Sequence, residues 1–258
     1  MSRFTNLELD GESEERQRFP GTLAKDEAFY AAEARAAFEN GEFEKALRSY
    51  GKQLEFNPQN AAAWSGQVRM LIELGEFHDA ATWADKALEM FPRDPELLAA
   101  KAVSLARNGD LQGAVAFSDS SIAEQGEAPY VWLARGDVLL TNKEARADYC
   151  FEKALMLAHG DWVVTWLAGR IRHYHQQLAL ALKMFQQALE LRATHFFLWL
   201  ELGRCQIELR LVNAARLSLN QARQLNPHCR EAELLLIRVN QAGPLDQLWG
   251  WIRERFRS

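Results

Sequence analysis

The chain has 258 residues, 48% hydrophobic and 25% charged, with 30 Lys and Arg against 35 Asp and Glu for a net charge of -5. This composition suits a soluble protein with a substantial core. The acidic balance excludes a general nucleic-acid binder, which needs a local excess of Lys and Arg to displace counterions from phosphates. Three cysteines, Cys150, Cys205 and Cys229, lack CxxC spacing and support neither a disulfide framework nor a thiolate metal site, so a reducing, cytoplasmic setting is expected.

Residues 1-22 are polar, with Phe4, Leu7, Leu9 and Phe19 as scattered apolar anchors. They lack the basic start and apolar run of a secretory leader, and no later stretch approaches the length of a membrane span. From residue 23 to 227 the chain repeats. Ala46, Ala80, Ala114, Ala147, Ala181 and Ala215 recur every 33 or 34 residues, and so do Ala34, Val68, Ala102, Gly136, Gly169 and Gly203. Large residues, Tyr30, Trp64, Leu98, Trp132 and Trp199, stand four positions before the second column, and Pro58, Pro92 and Pro227 close three of the units.

Small residues at a fixed period belong where two helices cross closely. Each unit therefore reads as helix A, a turn and helix B, with Gly41, Gly75 and Gly109 ending helix A in a left-handed turn. The six units are 27-60, 61-94, 95-128, 129-161, 162-195 and 196-227. The third places Ser118 and Ser121 where helix B usually carries an aromatic and an alanine, and Gly126 in place of proline, so its second helix is expected to be the weakest. The fourth is one residue short in its turn. The fifth has Thr165 in the aromatic column and Trp166 beside it. Beyond Pro227, residues 230-241 read as a helix covering the last repeat. Gly243-Pro244 breaks it, and a short amphipathic helix with Leu245, Leu248, Trp249, Ile252 and Phe256 completes a capping region over 228-258.

The Trp, Leu-Gly, Ala and Pro skeleton over residues 27-227 resembles the tetratricopeptide repeat family. The resemblance implies an all-α, right-handed helical-hairpin solenoid, closed by C-terminal capping helices, that works as a protein-protein interaction scaffold. It also implies that helix A lines a concave groove. In that groove the ninth positions carry Arg35, Arg69, Val103, Asp137, Arg170 and Arg204. The second and fifth carry small residues early, such as Ala28, Ala31, Ala62, Ser65 and Ala99, and bulky ones late: Tyr130, Leu133, Val163, Trp166, Phe197 and Leu200, joined by His173 and Tyr174. Two readings stand. The small residues leave room for a partner's peptide or helix and the aromatics anchor it, or a tight superhelix buries the same aromatics. The arginines either receive acids of a partner or pair with Glu39, Glu73 and Glu208. The family's clamp for chaperone carboxylate tails needs Lys and Asn where the first repeat has Ala31 and Arg35, and Lys and Arg where the third has Glu96 and Ala100, so no clamp of that kind is expected.

No phosphate loop, dinucleotide fingerprint, zincin motif or nucleophile elbow is present, so neither an enzyme nor a cofactor is expected. His173 and His175 are separated by about 200° around a helix and do not face one metal ion. The alternative to groove binding is a module that docks on a membrane or a larger complex through its C-terminal amphipathic segment. The polar N-terminal segment folding into the groove as a strap is a further possibility.

Overall fold

The computed structural model describes residues 25–125 and 127–241. Over this range it is all-helical. The helices are α1 (Glu27–Glu39), α2 (Phe43–Phe56), α3 (Ala61–Glu73), α4 (Phe77–Met90), α5 (Pro95–Arg107), α6 (Leu111–Gln125), α7 (Pro129–Thr141), α8 (Ala147–Leu157), α9 (Trp162–Tyr174), α10 (Leu178–Leu191), α11 (Phe196–Glu208), α12 (Val212–Leu225) and α13 (Arg230–Gln241). Consecutive helices pair as antiparallel hairpins, and each hairpin packs on the next, so the described residues form a solenoid of six helix pairs and a closing helix. Gly126, one of the weakening features expected in the third repeat, lies outside the described residues, as do residues 1–24 and 242–258, where the N-terminal strap and the amphipathic docking segment fall.

Local chemistry sets where each helix starts. Asp26, Asn60, Asp94 and Asp161 stand just before four of the A helices, and their side chains accept hydrogen bonds from the backbone N–H of Phe29, Ala63, Leu97 and Val163 at 2.8, 3.1, 2.9 and 2.9 Å. Each such cap contributes about 1 kcal/mol.

The A helices end alike. In the first repeat Gly41, at φ 73, donates to the Phe38 carbonyl while Glu42 donates to that of Ala37, the paired bonds of a left-handed helix terminus. Gly75 and Gly109 repeat this, as expected. In the last three repeats the same left-handed position is held by Lys143, Gln176 and Arg210, at φ 59, 59 and 61, with the same two hydrogen bonds. The residue missing from the fourth repeat is taken up just after this turn. Helix α8 begins at Ala147, four residues past Lys143, whereas the other B helices begin two residues past the turn.

The two small-residue columns are the helix crossings. Ala46, Ala80, Ala114, Ala147, Ala181 and Ala215 are all buried, as are Ala34, Val68 and Ala102. In the last three repeats the second column is glycine because helix B presents bulk there: a Cβ on Gly136, Gly169 or Gly203 would lie 2.9, 2.7 or 2.7 Å from Phe151, Phe185 or Leu219. The serines of the third repeat are buried but satisfied. Ser121 donates to the Pro95 carbonyl at 2.7 Å, and Ser118 accepts from Arg135 at 3.0 Å. Helix α13 buries Ala232, Leu236 and Val239 against the last repeat and leaves Leu234 and Ile237 exposed.

Candidate functional site

The concave side is built from the A helices, and the superhelix is tight enough that its two ends meet across it. One apolar cluster contains Ala37, Phe38 and Ala46 of the first repeat together with Trp166, Phe197 and Leu200 of the fifth and sixth. The Trp166 ring lies 5.2 Å from Phe38, 5.7 Å from Phe197 and 6.5 Å from Phe43. Its displacement by one residue from the aromatic column turns it about 100° around α9, off the helix-pair interface and onto the inner face.

This placement follows the second of the two readings, a tight superhelix that buries the inner aromatics. Leu133, Trp166, Phe197 and Leu200 are core residues, with Trp166 at 0% exposure. Val163 is half-buried and packs against the same cluster, and Tyr130 is half-buried under the Arg69 guanidinium, 4.0 Å from its ring centre. Burial raises the Tyr130 hydroxyl pKa, and the charge of Arg69 only partly opposes it. Of the small residues of the first half, Ala99 and Ser65 are themselves buried, Ala31 is half-buried, and Ala28 and Ala62 are exposed.

The arginine column is paired almost throughout. Arg35 bonds Glu39 at 2.9 Å on the outer rim. Arg69 lies 3.8 Å from Glu96. Asp137, fully enclosed, accepts from Arg107 at 2.7 Å and sits 2.8 Å from His175 Nε2. Arg170 spans the ring: it bonds Glu73 of the second repeat at 2.6 Å and Glu201 of the sixth at 2.9 Å. Arg204 also bonds Glu201, and its Nε donates to Glu231 at 2.8 Å. Glu208, expected beside an arginine, instead lies 3.1 Å from His173.

Burial works against the charges of Asp137, Glu201 and Arg170, and their partners overcome it. Desolvation alone would raise Asp137 and Glu201, but Arg107 with His175, and Arg170 with Arg204, hold both carboxyls below their usual values. Arg170 is likewise held above the ordinary guanidinium value by Glu73 and Glu201 despite its burial. Sequence reasoning found Glu73 as a partner but missed Glu201 and Arg107. Both sit on A helices, and Glu201 follows a bulky inward residue, Leu200, which gives no local sign of an inward charge.

What stays open on the concave side is a mouth at the ends of the A helices. One cavity of about 280 Å³ is lined by Phe77, Arg107, Arg170, His173, Tyr174 and Arg204 among others; a second of about 620 Å³ shares Arg107 and Tyr174 and extends to Lys143 and Gln177. The structure thus gathers four of the expected site residues, Arg170, His173, Tyr174 and Arg204, around one hollow. Tyr174 is 46% exposed, and its ring lies 4.0 Å from the guanidinium of Arg107 and 6.2 Å from the ring of Phe77.

Residues 31–95 and 71–129 match the family model described as tetratricopeptide repeat, and the six-pair array carries the same hairpin onward to the last repeat. Over residues 31–129 the chain is similar to the tetratricopeptide repeat family, and its fold is that of a tetratricopeptide repeat solenoid. Such a fold is a protein-interaction scaffold in general. It is similar to a thermophilic tetratricopeptide repeat protein of Thermus thermophilus, at 19% identity over 70% of this chain and 99% of that one, with a TM-score of 0.53. A tetratricopeptide repeat protein from Parabacteroides merdae aligns at 15% identity over 85% of this chain and 86% of that one, with a TM-score of 0.51. The chain also spans 43% of the length of a chain in the Cut9-Hcn1 hetero-tetramer of the APC/C, which matches 83% of it at 17% identity with a TM-score of 0.49. Identities this low speak to the fold alone. No curated protein matches.

A solenoid of this kind is in general a non-catalytic interaction scaffold. Among the described residues no three His, Cys, Asp or Glu side chains gather as metal ligands, and no helix is long and apolar enough to cross a membrane. Burial pushes the Cys205 thiol up to about 12, with Glu208 and Glu201 adding to the effect, and raises Cys150, so neither presents a thiolate nucleophile.

Proposed function

We propose that the chain is a non-enzymatic, cytoplasmic scaffold, an adaptor or assembly factor, which receives a peptide or helix of a protein partner at the mouth around Tyr174. The observation that carries this reading is Tyr174 itself, an exposed ring held in place by a buried arginine on an otherwise self-satisfied concave face. Tyrosine and arginine dominate the energetic centres of protein interfaces, because a ring fixed in advance loses little entropy on binding. The arginines lining the hollow already have carboxylate partners, so the partner segment is recognised chiefly through aromatic and apolar contact and through hydrogen bonds at the Tyr174 hydroxyl. The absence of a disulfide among the described cysteines supports the compartment.

The test is a photo-crosslinking residue placed at position 174 in the full chain, in extract of the native host, with Leu217, 73% exposed on α12, as the control position. A partner captured from 174 and not from 217 is expected to lose at least about tenfold in affinity, about 1.4 kcal/mol, on Tyr174→Ala. Because the ring is half exposed, that variant keeps its fold. Equal capture at both positions, or unchanged affinity in Tyr174→Ala, sinks the reading.

A further inference from the structure

The turn between α1 and α2, residues 38–43 with the sequence FENGEF, occupies the concave face as a ligand would. Phe197 packs directly on the Gly41 backbone, where a Cβ would meet its ring carbons at 2.1 Å. Phe43 presents its ring to Phe197 at 6.4 Å and to the Arg170 guanidinium at 4.8 Å, and Phe38 stands 5.2 Å from Trp166. Two rings thus flank a tight glycine turn, and the turn carries two carboxylates, Glu39 and Glu42. The wall they meet offers two aromatics, Trp166 and Phe197, with the cations of Arg170 and Arg204 over those rings at 5.6 and 5.9 Å.

Two features mark this cis occupant as replaceable. The buried Trp166 Nε1–H finds no acceptor among the described residues, so the turn leaves a donor that a better-fitting segment would satisfy. Among the described residues the first repeat packs along the array on the second repeat and meets the fifth and sixth through these ring contacts, so losing the ring contacts alone frees the wall.

We infer that the Trp166–Phe197–Arg170 wall is a docking surface for a segment bearing two aromatic residues about a glycine turn, filled in cis by residues 38–43 and accessible in trans when the first repeat swings away. This surface shares Arg170 with the Tyr174 mouth but not the Tyr174 ring that carries the proposed function, so either reading can fail without the other.

The test uses the full chain carrying Gly41→Arg. The native Arg210 adopts the same left-handed conformation, so the substitution keeps the turn while blocking the Phe197 contact. Gly75→Arg, at a turn with nothing nearby, is the control. Amide hydrogen exchange over residues 166–170 and 197–201 is expected to quicken at least tenfold in Gly41→Arg and to stay unchanged in Gly75→Arg. A synthetic peptide of residues 34–47 should then restore the protection in Gly41→Arg, and should fail to do so when both of its phenylalanines are replaced by alanine. Unchanged exchange in Gly41→Arg overturns the inference, and so does a peptide that restores nothing or protects equally well without its aromatics. Should Gly41→Arg not fold, Glu73→Gln loosens the same closure by releasing Arg170 from the second repeat while leaving it paired with Glu201, and the same two readouts apply.

Discussion

Replacing Gly41 and Gly75 by alanine, one at a time, separates the closure of the superhelix from the cost of the turn. Both residues hold the left-handed conformation, at φ 73 and 80, and both close the same pair of backbone hydrogen bonds. An L-residue there costs about 1–2 kcal/mol, offset by roughly 0.4–1 kcal/mol of entropy that glycine loses on folding. Gly75, with open space around it, should therefore cost about 0.5–1 kcal/mol net. At Gly41 the new methyl would lie 2.1, 2.2 and 2.6 Å from three carbons of the Phe197 ring, so the ring must leave. Expelling a buried phenylalanine forfeits a further 1.5–3 kcal/mol or so, giving about 2–4 kcal/mol in total. Urea denaturation followed by far-ultraviolet circular dichroism measures both. In a Phe197→Ala background the Gly41→Ala cost should fall to that of Gly75→Ala. Two costs within about 0.5 kcal/mol of each other in the wild-type background would refute the closure.

Three other outcomes are expected. Lys143→Gly, Gln176→Gly and Arg210→Gly should each stabilise the chain by about 0.5–1 kcal/mol in the same denaturation assay, since each removes left-handed strain that glycine does not feel. Trp166→Ala should destabilise by about 3–5 kcal/mol, because its ring is enclosed between the two ends of the array, so loss of partner binding in that variant reports unfolding and must be checked by circular dichroism. Asp137 and Glu201 have folded pKa values below their reference values of 3.8 and 4.5, so their contribution is complete above about pH 4.5 and fades as pH falls through the depressed values. The urea midpoint should accordingly drop on the acid side of pH 4.5, and Glu201→Gln, although less stable at pH 7, should show a shallower drop.

The features carried by the 34-residue period were legible because they depend on neighbours in one hairpin. Ala80 and Ala181 must be small wherever the array stops, since the helix they touch lies in the same repeat. The left-handed turns were legible only where glycine announces them. Lys143, Gln176 and Arg210 take the same conformation with ordinary side chains, because the paired hydrogen bonds and the following B helix hold them there, and nothing in residue type signals it. Helix α13 was legible for the same local reason: Ala232, Leu236 and Val239 recur at helical spacing shortly after Pro227.

The site was less legible because its decisive contacts span the whole array. Arg170 meets Glu73 across 97 positions, and Phe197 meets Gly41 across more than 150. Which residues end up opposite each other depends on a small rotation per repeat, compounded through the intervening crossings, and a column of alanines specifies a close approach without specifying its angle. The same inward-facing aromatics therefore read as anchors for a partner if the superhelix is wide and as core if it is narrow. Trp166, turned inward by one position, and Gly41, the one glycine turn among the described residues with a ring against it, are the two residues that place this chain at the narrow end. The partner surface then shifts from the groove floor to its mouth, where Tyr174 remains exposed because no turn of the first repeat reaches it.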